Sequence, residues 1–359
     1  MDRIRRIKNK IKVLFILSIL FELDLFMKSV KNFLILFLLL VLLCQTTRAD
    51  WTKQNSNTLA WLRDVYFLNE QTGWIVGSSG TFLETKDGGK TWIQRKHLNN
   101  DTIRQVYFTD EQNGWLLCER DLFALGKNSP SYLLKTSDGG AIWELVELAN
   151  PQRKRLTKIF FNKNGLGSAI GENGAFFSMS ADETIWKQSA SPARFLLFDG
   201  IYNGDWNGVV VGAGGAIFFT EDAGLSWIKA NILGESEARF NAVFFINQKN
   251  GWTVGAGGVI FQTFNSGKLW REQKSSVVKD LNSVFFQDTA EGWAVGGEGT
   301  ILHTTTAGNV WTKVNSKAGH NLEKVFFVGK KGWAVGFGGT ILSFSENNVS
   351  GNSSSSARN

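Results

Sequence analysis

Leu281-Asn-Ser-Val-Phe-Phe286, Gly292-Trp-Ala-Val-Gly296, Gly299-Thr-Ile-Leu-His303 and Thr304-Thr-Thr-Ala-Gly-Asn-Val-Trp311-Thr-Lys-Val314 follow one another with only short gaps. They are four short apolar runs separated by glycine-containing turns. Their β-branched and aromatic content fits half-buried strands. Glycine stands where the tight hairpins demand positive φ. The same unit recurs along most of the chain. It can be indexed on Gly73-Trp74, Gly114-Trp115, Gly165-Leu166, Gly208-Val209, Gly251-Trp252, Gly292-Trp293 and Gly332-Trp333, at spacings of 41, 51, 43, 43, 41 and 40 residues. A period near 40 with four strands per unit is the pattern of a β-propeller. Seven index pairs predict an all-β, seven-bladed ring of four-stranded blades.

The ends of the repeat predict how the ring closes. The seventh unit, Leu322 to Phe344, lacks its Trp-bearing fourth strand. The missing strand is found at the other end, where Trp51-Thr52-Lys53-Gln54 matches Trp311-Thr-Lys-Val314. An open ring would leave unpaired strand edges, so this N-terminal strand is expected to be the main closure device. The two cysteines, Cys44 and Cys118, cannot bridge the mature chain if Cys44 is lost with the leader. Two units depart from the repeat. The second is longer between Cys118 and Tyr132, around Arg120, Asp121, Lys127 and Pro130, and the third has a degenerate hairpin, Ala181-Asp-Glu-Thr-Ile-Trp186.

Three segments follow: a leader over 1–49, the propeller over 50–346, and a Ser/Asn-rich tail over 347–359 expected to be disordered. Within the leader, Met27-Lys-Ser-Val-Lys31 is a basic start. Phe33 to Leu43 is an unbroken apolar run, and Thr47-Arg-Ala49 places small residues before a cleavage point at Asp50. The apolar run is short for a spanning helix. The body is therefore expected to be exported and membrane-proximal but not spanning, with Met27 as the true start and residues 1–26 upstream of it. The alternatives are a genuine N-terminal extension and a lipid anchor at Cys44, whose preceding Val41-Leu-Leu is a poor lipidation context.

The formal charge of +7 comes mostly from the leader, which holds nine Lys/Arg and three acids. The remainder has 30 basic and 29 acidic residues, so the high pI is no argument for nucleic-acid binding. Among candidate functional residues, basic side chains recur at or just before the inner strands: Arg63, Arg104, Lys158, Arg194, Arg239, Lys279 and Lys324, with Arg153-Lys-Arg155 beside the third blade. In a propeller the loops entering the inner strands ring one mouth of the channel. A basic mouth there would attract acidic partner segments.

Asp87, Asp138 and Asp222, with Asn265 in the fifth unit, sit in Thr-x-Asp-x-Gly-x-x-Trp hairpins. Each carboxylate can accept hydrogen bonds from its own turn, and one copy per blade reads as a structural staple. His97, His303 and His320 have no metal-ligand spacing, and no Gly-x-Ser-x-Gly elbow is present. No metal or cofactor is expected. A two-carboxylate glycosidase site on the inner-strand loops stays open, with Asp64, Asp101, Asp199, Asp280 and Glu323 as its candidates.

Units of the form Val-Phe/Tyr-Phe…Gly-Trp-Ala-Val-Gly-x-x-Gly-Thr-Ile-Leu-x-Thr-x-Asp-Gly-Gly-x-x-Trp resemble the photosystem II assembly and stability factor family of cyanobacteria and chloroplasts. The resemblance covers roughly residues 50–345. It implies a non-enzymatic seven-bladed propeller on the far side of a membrane, and the chain is expected to be a monomer. That propeller would bind a reaction-centre subunit through an arginine patch. By position, Arg63 and Arg104 would be the counterparts, with Arg239 nearby, and Lys158 and Lys324 would stand where arginine is expected. The Asp-box hairpins also resemble those of sialidases and endoglucanases, which keeps a glycoside hydrolase, or a secreted adhesion propeller, as the alternative.

Overall fold

Alternation builds each blade from the inside outward. In the inner strand Leu62–Phe67 the first, third, fourth and sixth residues are buried, and the second and fifth are half-buried. The next strand, Gly73–Gly77, is buried throughout because it lies between its neighbours in the sheet and between two blades. Its first glycine is obligatory: a Cβ on Gly73 would meet the Phe67 ring at 2.5 Å. The third strand, Phe82–Thr85, is also buried, and the outermost, Ile93–Gln94, is exposed. The computed structural model describes residues 50–95, 99–121, 129–149, 154–179, 185–234 and 237–345, with Leu17, Phe21–Leu23, Phe26–Lys28, Val30 and Lys31 of the leader in helical geometry.

Ala49–Glu346 forms one compact unit. Its described residues form seven sheets of four antiparallel strands, one of them with an added parallel strand, each running from an inner strand to an outer one. The inner strands are Leu62–Phe67, Thr102–Phe108, Leu156–Phe161, Leu197–Tyr202, Phe240–Phe245, Leu281–Phe286 and Leu322–Val328, defining blades 1 to 7. Each packs on the next, and the last packs on the first. The hydrophobic core is a set of layers between neighbouring blades. The index tryptophans cement them. Trp74 stacks on Phe108 of the next blade at 3.8 Å, Trp252 on Phe286 at 3.4 Å, and Trp333 on Phe67 across the seam at 3.7 Å.

The ring closes by the N-terminal strand. Asp50–Gln54 pairs antiparallel with Thr340–Ser345, from Asp50 opposite Ser345 to Gln54 opposite Ile341. Trp51 is fully buried against Trp293, Phe327 and Phe344, with ring centroids 5.4–5.9 Å apart. Gln54 reaches past its own blade: its amide donates to Gly89 O at 2.6 Å and accepts from Trp92 Nε1 at 3.1 Å, both in blade 1.

Two details differ from the sequence reading. Blade 3 begins its second strand at Gly167, not at Gly165-Leu166. Gly167 is the residue that faces Phe161 as Gly73 faces Phe67, and Gly165 sits at positive φ in the preceding turn. Blade 5 gains a fifth strand, Asn231–Leu233, parallel to Leu269–Gln273, because Ile232 of the blade 4–5 connector packs against that blade's core. Cys44, the cleavage point at Ala49, His97, Lys127, Arg153, the Ala181–Thr184 hairpin and the 347–359 tail lie outside the described residues. Among the described residues no helix is long and apolar enough to cross a membrane.

Candidate functional site at the channel mouth

Every inner strand carries a register irregularity just after its first fully buried apolar residue, as at Leu62/Asp64 and Ile103/Gln105, and positions are counted from that residue. A bulge of this kind re-aims the intervening side chain. The second position therefore forms a distinct ring at the entry to the channel, and the third position forms another inside it.

Arg63 and Arg104 occupy the second position in blades 1 and 2. Asn241 and Asn282 hold it in blades 5 and 6, where each donates to the backbone of the next blade, at Leu281 O and Leu322 O, both at 2.9 Å. Glu323 holds it in blade 7. Lys158 and Lys324 do not stand where arginine was expected. Their register partners, Ile170 and Val335, correspond to Val76 opposite Asp64, so both lysines belong to the third, inner ring. Arg239 and Arg155 lie one residue before their strands, and Arg194 is exposed on the loop before Leu197.

The mouth is charge-balanced rather than simply basic. Arg63 pairs with Glu323 at 3.6 Å. Glu119, at the end of the strand Gly114–Glu119, bridges Arg104 at 2.6 Å and Arg155 at 3.0 Å. Arg239 pairs with Asp280 at 2.8 Å, and Lys279 with Glu298 at 2.6 Å. Most of the cations expected to form a basic mouth share a carboxylate supplied by the same or a neighbouring blade. The guanidiniums still reach solvent, at 23% side-chain exposure for Arg63, 27% for Arg104 and 37% for Arg155. Burial, followed by the repulsion of Arg104, pushes the Arg63 guanidinium below its ordinary value, and Glu323 pulls it back.

An aromatic patch adjoins Arg63. Its guanidinium lies 3.6 Å from the Trp61 ring centroid. Trp61 meets Phe337 edge to face at 5.5 Å, and His320 meets the same ring at 5.6 Å. Phe337 and Leu59 are exposed beside them. Arg120, one residue past Glu119, lies over the Tyr132 ring at 4.1 Å.

Inside the mouth the third positions read Asp64, Gln105, Lys158, Asp199, Ala242, Ser283 and Lys324. Where the residue is an acceptor it ties its blade to the next. Asp64 accepts from Val106 N at 3.1 Å, Gln105 from Ile159 N at 2.8 Å, Asp199 from Val243 N at 2.9 Å and Ser283 from Val325 N at 3.3 Å. The lysines cannot accept. Lys158 pairs instead with Asp199 at 3.0 Å. Burial opposes its charge, but Asp199 and Asp64 more than offset this and hold it above the ordinary lysine value. Lys324 is lowered, first by burial and then by Lys158. Asp64 is raised, chiefly by burial.

The five candidate glycosidase carboxylates are all engaged. Asp64 and Asp199 hold backbone amides, Asp280 and Glu323 hold arginines, and Asp101 accepts from Tyr132 Oη at 2.8 Å. The Asp-box residues lie at the opposite mouth. Asp87 accepts from Thr85 Oγ1 at 2.8 Å, Thr91 N at 2.9 Å and Thr91 Oγ1 at 2.6 Å. Asp138 accepts from Ile142 N, Asp222 from Ser226 N and Asn265 from Leu269 N, each at 2.9 Å. In blade 6, Thr306 fills the slot by accepting from Val310 N at 3.0 Å. His303 stacks on Trp293 and meets Glu291 at 2.9 Å. Among the described residues no group of three or more His, Cys, Asp or Glu is arranged to hold a metal ion.

Sequence reasoning missed Glu119, Trp61 and Phe337. Glu119 ends a strand whose equivalents end in glycine, which was a readable signal. Phe337 stands in a turn that reads Ala-Gly-Gly or Gly-Glu-Gly in blades 5 and 6.

Comparison by sequence points to one family, while the fold is shared with enzymes as well, including a GH74 xyloglucanase from Xanthomonas campestris at a TM-score of 0.63 and 13% identity, over 82% of this chain and 53% of that one. A family model described as photosynthesis system II assembly factor YCF48 matches residues 43–187, 178–277 and 272–345. The chloroplastic photosystem II stability/assembly factor HCF136 of Guillardia theta is 46% identical over 54 residues, 14% of each chain. The chain spans at most about half the length of the curated relatives it matches. Among solved structures, YCF48 from Cyanidioschyzon merolae superposes with a TM-score of 0.67 at 22% identity, over 84% of this chain and 100% of that one. A structure of YCF48 bound to D1 peptide gives 0.67 at 23% identity, over 82% and 94%. At this identity the structural likeness speaks for the fold alone.

Proposed function

The chain belongs to the photosystem II assembly factor family typified by Ycf48, and on that premise we propose that it is a non-catalytic, exported scaffold that captures a segment of a membrane-complex subunit. The capture site is the charged mouth formed by Arg63, Arg104, Arg155 and Arg239, with the Trp61–Phe337 patch at its edge. The observation that carries this reading is the grouping of solvent-reaching arginines on carboxylates that an incoming peptide can replace. A carboxylate from the partner would take a bidentate guanidinium contact, while an apolar side chain settles on Phe337 and Leu59. The D1 peptide carried by a solved relative supports a peptide ligand of this kind. Residues 27–49 act as a cleaved export signal, and the body works as a membrane-proximal monomer.

The engagement of Asp64, Asp101, Asp199, Asp280 and Glu323 in structural contacts favours this reading over a glycoside hydrolase. A general acid and its partner would need free carboxyls facing a substrate cleft. The test is affinity purification of the tagged protein from its host, with mass spectrometry of what co-purifies. Membrane-complex subunits should be recovered, and lost with an Arg63→Ala/Arg104→Ala/Arg239→Ala variant whose melting curve is unchanged. Recovery of the same subunits by that variant would refute the site.

A further inference from the structure

The opposite mouth of the ring carries a second concavity, formed where the inner strands of blades 3, 4 and 5 end. It encloses about 590 Å³ and is lined by the loops that follow Phe161, Tyr202 and Phe245. One residue there has no packing task. Trp206 is 64% exposed, whereas the other thirteen tryptophans are buried or half-buried. It occupies a loop position that holds Gln71, Gln112, Gly165, Lys249 and Ala290 in blades 1, 2, 3, 5 and 6. The repeat therefore does not require an aromatic there. Its backbone is pinned, because Ala223 N donates to Trp206 O at 2.8 Å. The indole thus projects from a fixed support.

The walls beside it are made of side-chain amides held in place across blade boundaries. Asn203 Nδ2 donates to Gln248 O at 2.6 Å, and Gln248 Nε2 donates to Asn207 Oδ1 at 2.7 Å. Asn162 Nδ2 donates to Asp205 O at 2.9 Å. Asn203 Oδ1 is buried and has no hydrogen-bond partner among the described residues, which leaves an acceptor in want of a donor. The charged lining residues are Lys163 and Asp205, of opposite sign.

We propose that this mouth is a binding site for a neutral oligosaccharide, stacked on Trp206 and hydrogen-bonded through the amides of Asn203, Asn207 and Gln248. A sugar ring offers an apolar C–H face for the indole and hydroxyls around its rim. Those hydroxyls can donate to and accept from the side-chain amides that line the concavity. Rigid aromatic and amide surfaces bind without a large ordering cost. The balanced Lys163 and Asp205 give no preference for a charged chain. An extended peptide fits less well, because it needs a strand edge or a row of side-chain pockets, and this mouth offers one flat ring. The site is independent of the arginine mouth, so one ring would hold a glycan at one end and a protein segment at the other.

The test uses the full chain and a panel of cellohexaose, chitohexaose and maltohexaose, read by calorimetry and by saturation transfer from protein to ligand in NMR. At least one should bind saturably with a Kd of about 1 mM or tighter. Trp206→Ala, a change at an exposed residue, should weaken binding about tenfold or more with an unchanged melting curve. Asn203→Ala should weaken it measurably while lowering the melting temperature only by the few degrees that its lost bond to Gln248 O costs. Arg63→Ala/Arg104→Ala should leave it intact, which separates this site from the proposed capture function. Absence of saturable binding by every member of the panel would overturn the proposal. So would undiminished binding by Trp206→Ala, or binding of an unrelated neutral peptide at the same site in preference to the sugars.

Discussion

Removing the indole of Trp51 tests the closure of the ring most directly. Trp51 is fully buried, and its three aromatic neighbours come from blades 6 and 7. Truncating a buried Trp to Ala costs about 3–5 kcal/mol through lost transfer energy and an unfilled cavity. At about 2–4 °C per kcal/mol for a domain of this class, Trp51→Ala should lower the melting temperature by about 6–20 °C. Two companion variants sharpen the result. Trp51→Phe keeps a ring and discards an Nε1–H that has no acceptor among the described residues, so its loss should be clearly smaller. Gln54→Ala removes the two hydrogen bonds that cross the seam into blade 1, at about 1–3 kcal/mol. Lys53→Ala, at an exposed position of the same strand, should change stability by less than about 0.5 kcal/mol. The assay is differential scanning calorimetry of the purified chain with chemical denaturation alongside. If Trp51→Ala melts within about 2 °C of the parent, the strand is an ornament and the ring is closed by its inner contacts alone.

Three further outcomes follow from the charge and burial pattern. The Asp87 carboxyl is held down to about 2 by the hydroxyl and amide of Thr91. Because the folded value lies below the unfolded one, its staple contributes above about pH 4 and is lost as pH falls toward 2. The melting-temperature gap between parent and Asp87→Ala should therefore close on acidification from pH 6 to pH 2, and a constant gap would refute the assignment. Lys158→Met leaves Asp199 unpaired within the ring and should cost about 3–5 kcal/mol. Lys324→Met should cost less, since burial and Lys158 disfavour that charge and the attraction of Asp64 and Asp199 only partly offsets them; equal losses in the two variants would sink this distinction. The Cys118 thiol, pushed up to about 12 by burial, should resist alkylation at pH 8 in the folded chain and react on unfolding, as peptide mapping by mass spectrometry would show.

The fold was legible because its signals are local and repeated. Gly-Trp followed by alternating apolar residues encodes a strand and its inter-blade stack in one stretch, and five regular copies outweigh two degenerate ones. Closure was legible because Trp51 repeats Trp311 in type and context. The blade 3 index was misplaced because Gly165 and Gly167 both fit the pattern. Only the clash with Phe161 and the positive φ of Gly165 separate a strand start from a turn. The mouth was half legible. Arg63 and Arg104 announced themselves by position, but the carboxylates they share come from Glu323 and Glu119, far apart in sequence. The one-residue bulge that moves Lys158 and Lys324 inward has no signature in the string. The same holds for Trp206, whose exposure is a property of the loop and its pinned backbone.

Pairing at the mouth changes what kind of recognition it can perform. A bare cluster of arginines would draw any acidic segment by long-range attraction, and would lose that pull within a Debye length in salt. Here Glu119 and Glu323 already hold the guanidiniums in fixed orientations, so an incoming carboxylate gains only the difference between two ion pairs. That difference is small for a segment whose carboxylates do not align with Arg63 and Arg104 together. It grows when both exchanges occur at once and an apolar side chain covers Phe337. The ring bulge sets the spacing of those two arginines through adjacent blades, and the cation–π contact with Trp61 restricts Arg63 further. On the proposed reading, the arrangement would trade raw attraction for register, as a scaffold that takes one segment of one subunit among many acidic surfaces would require.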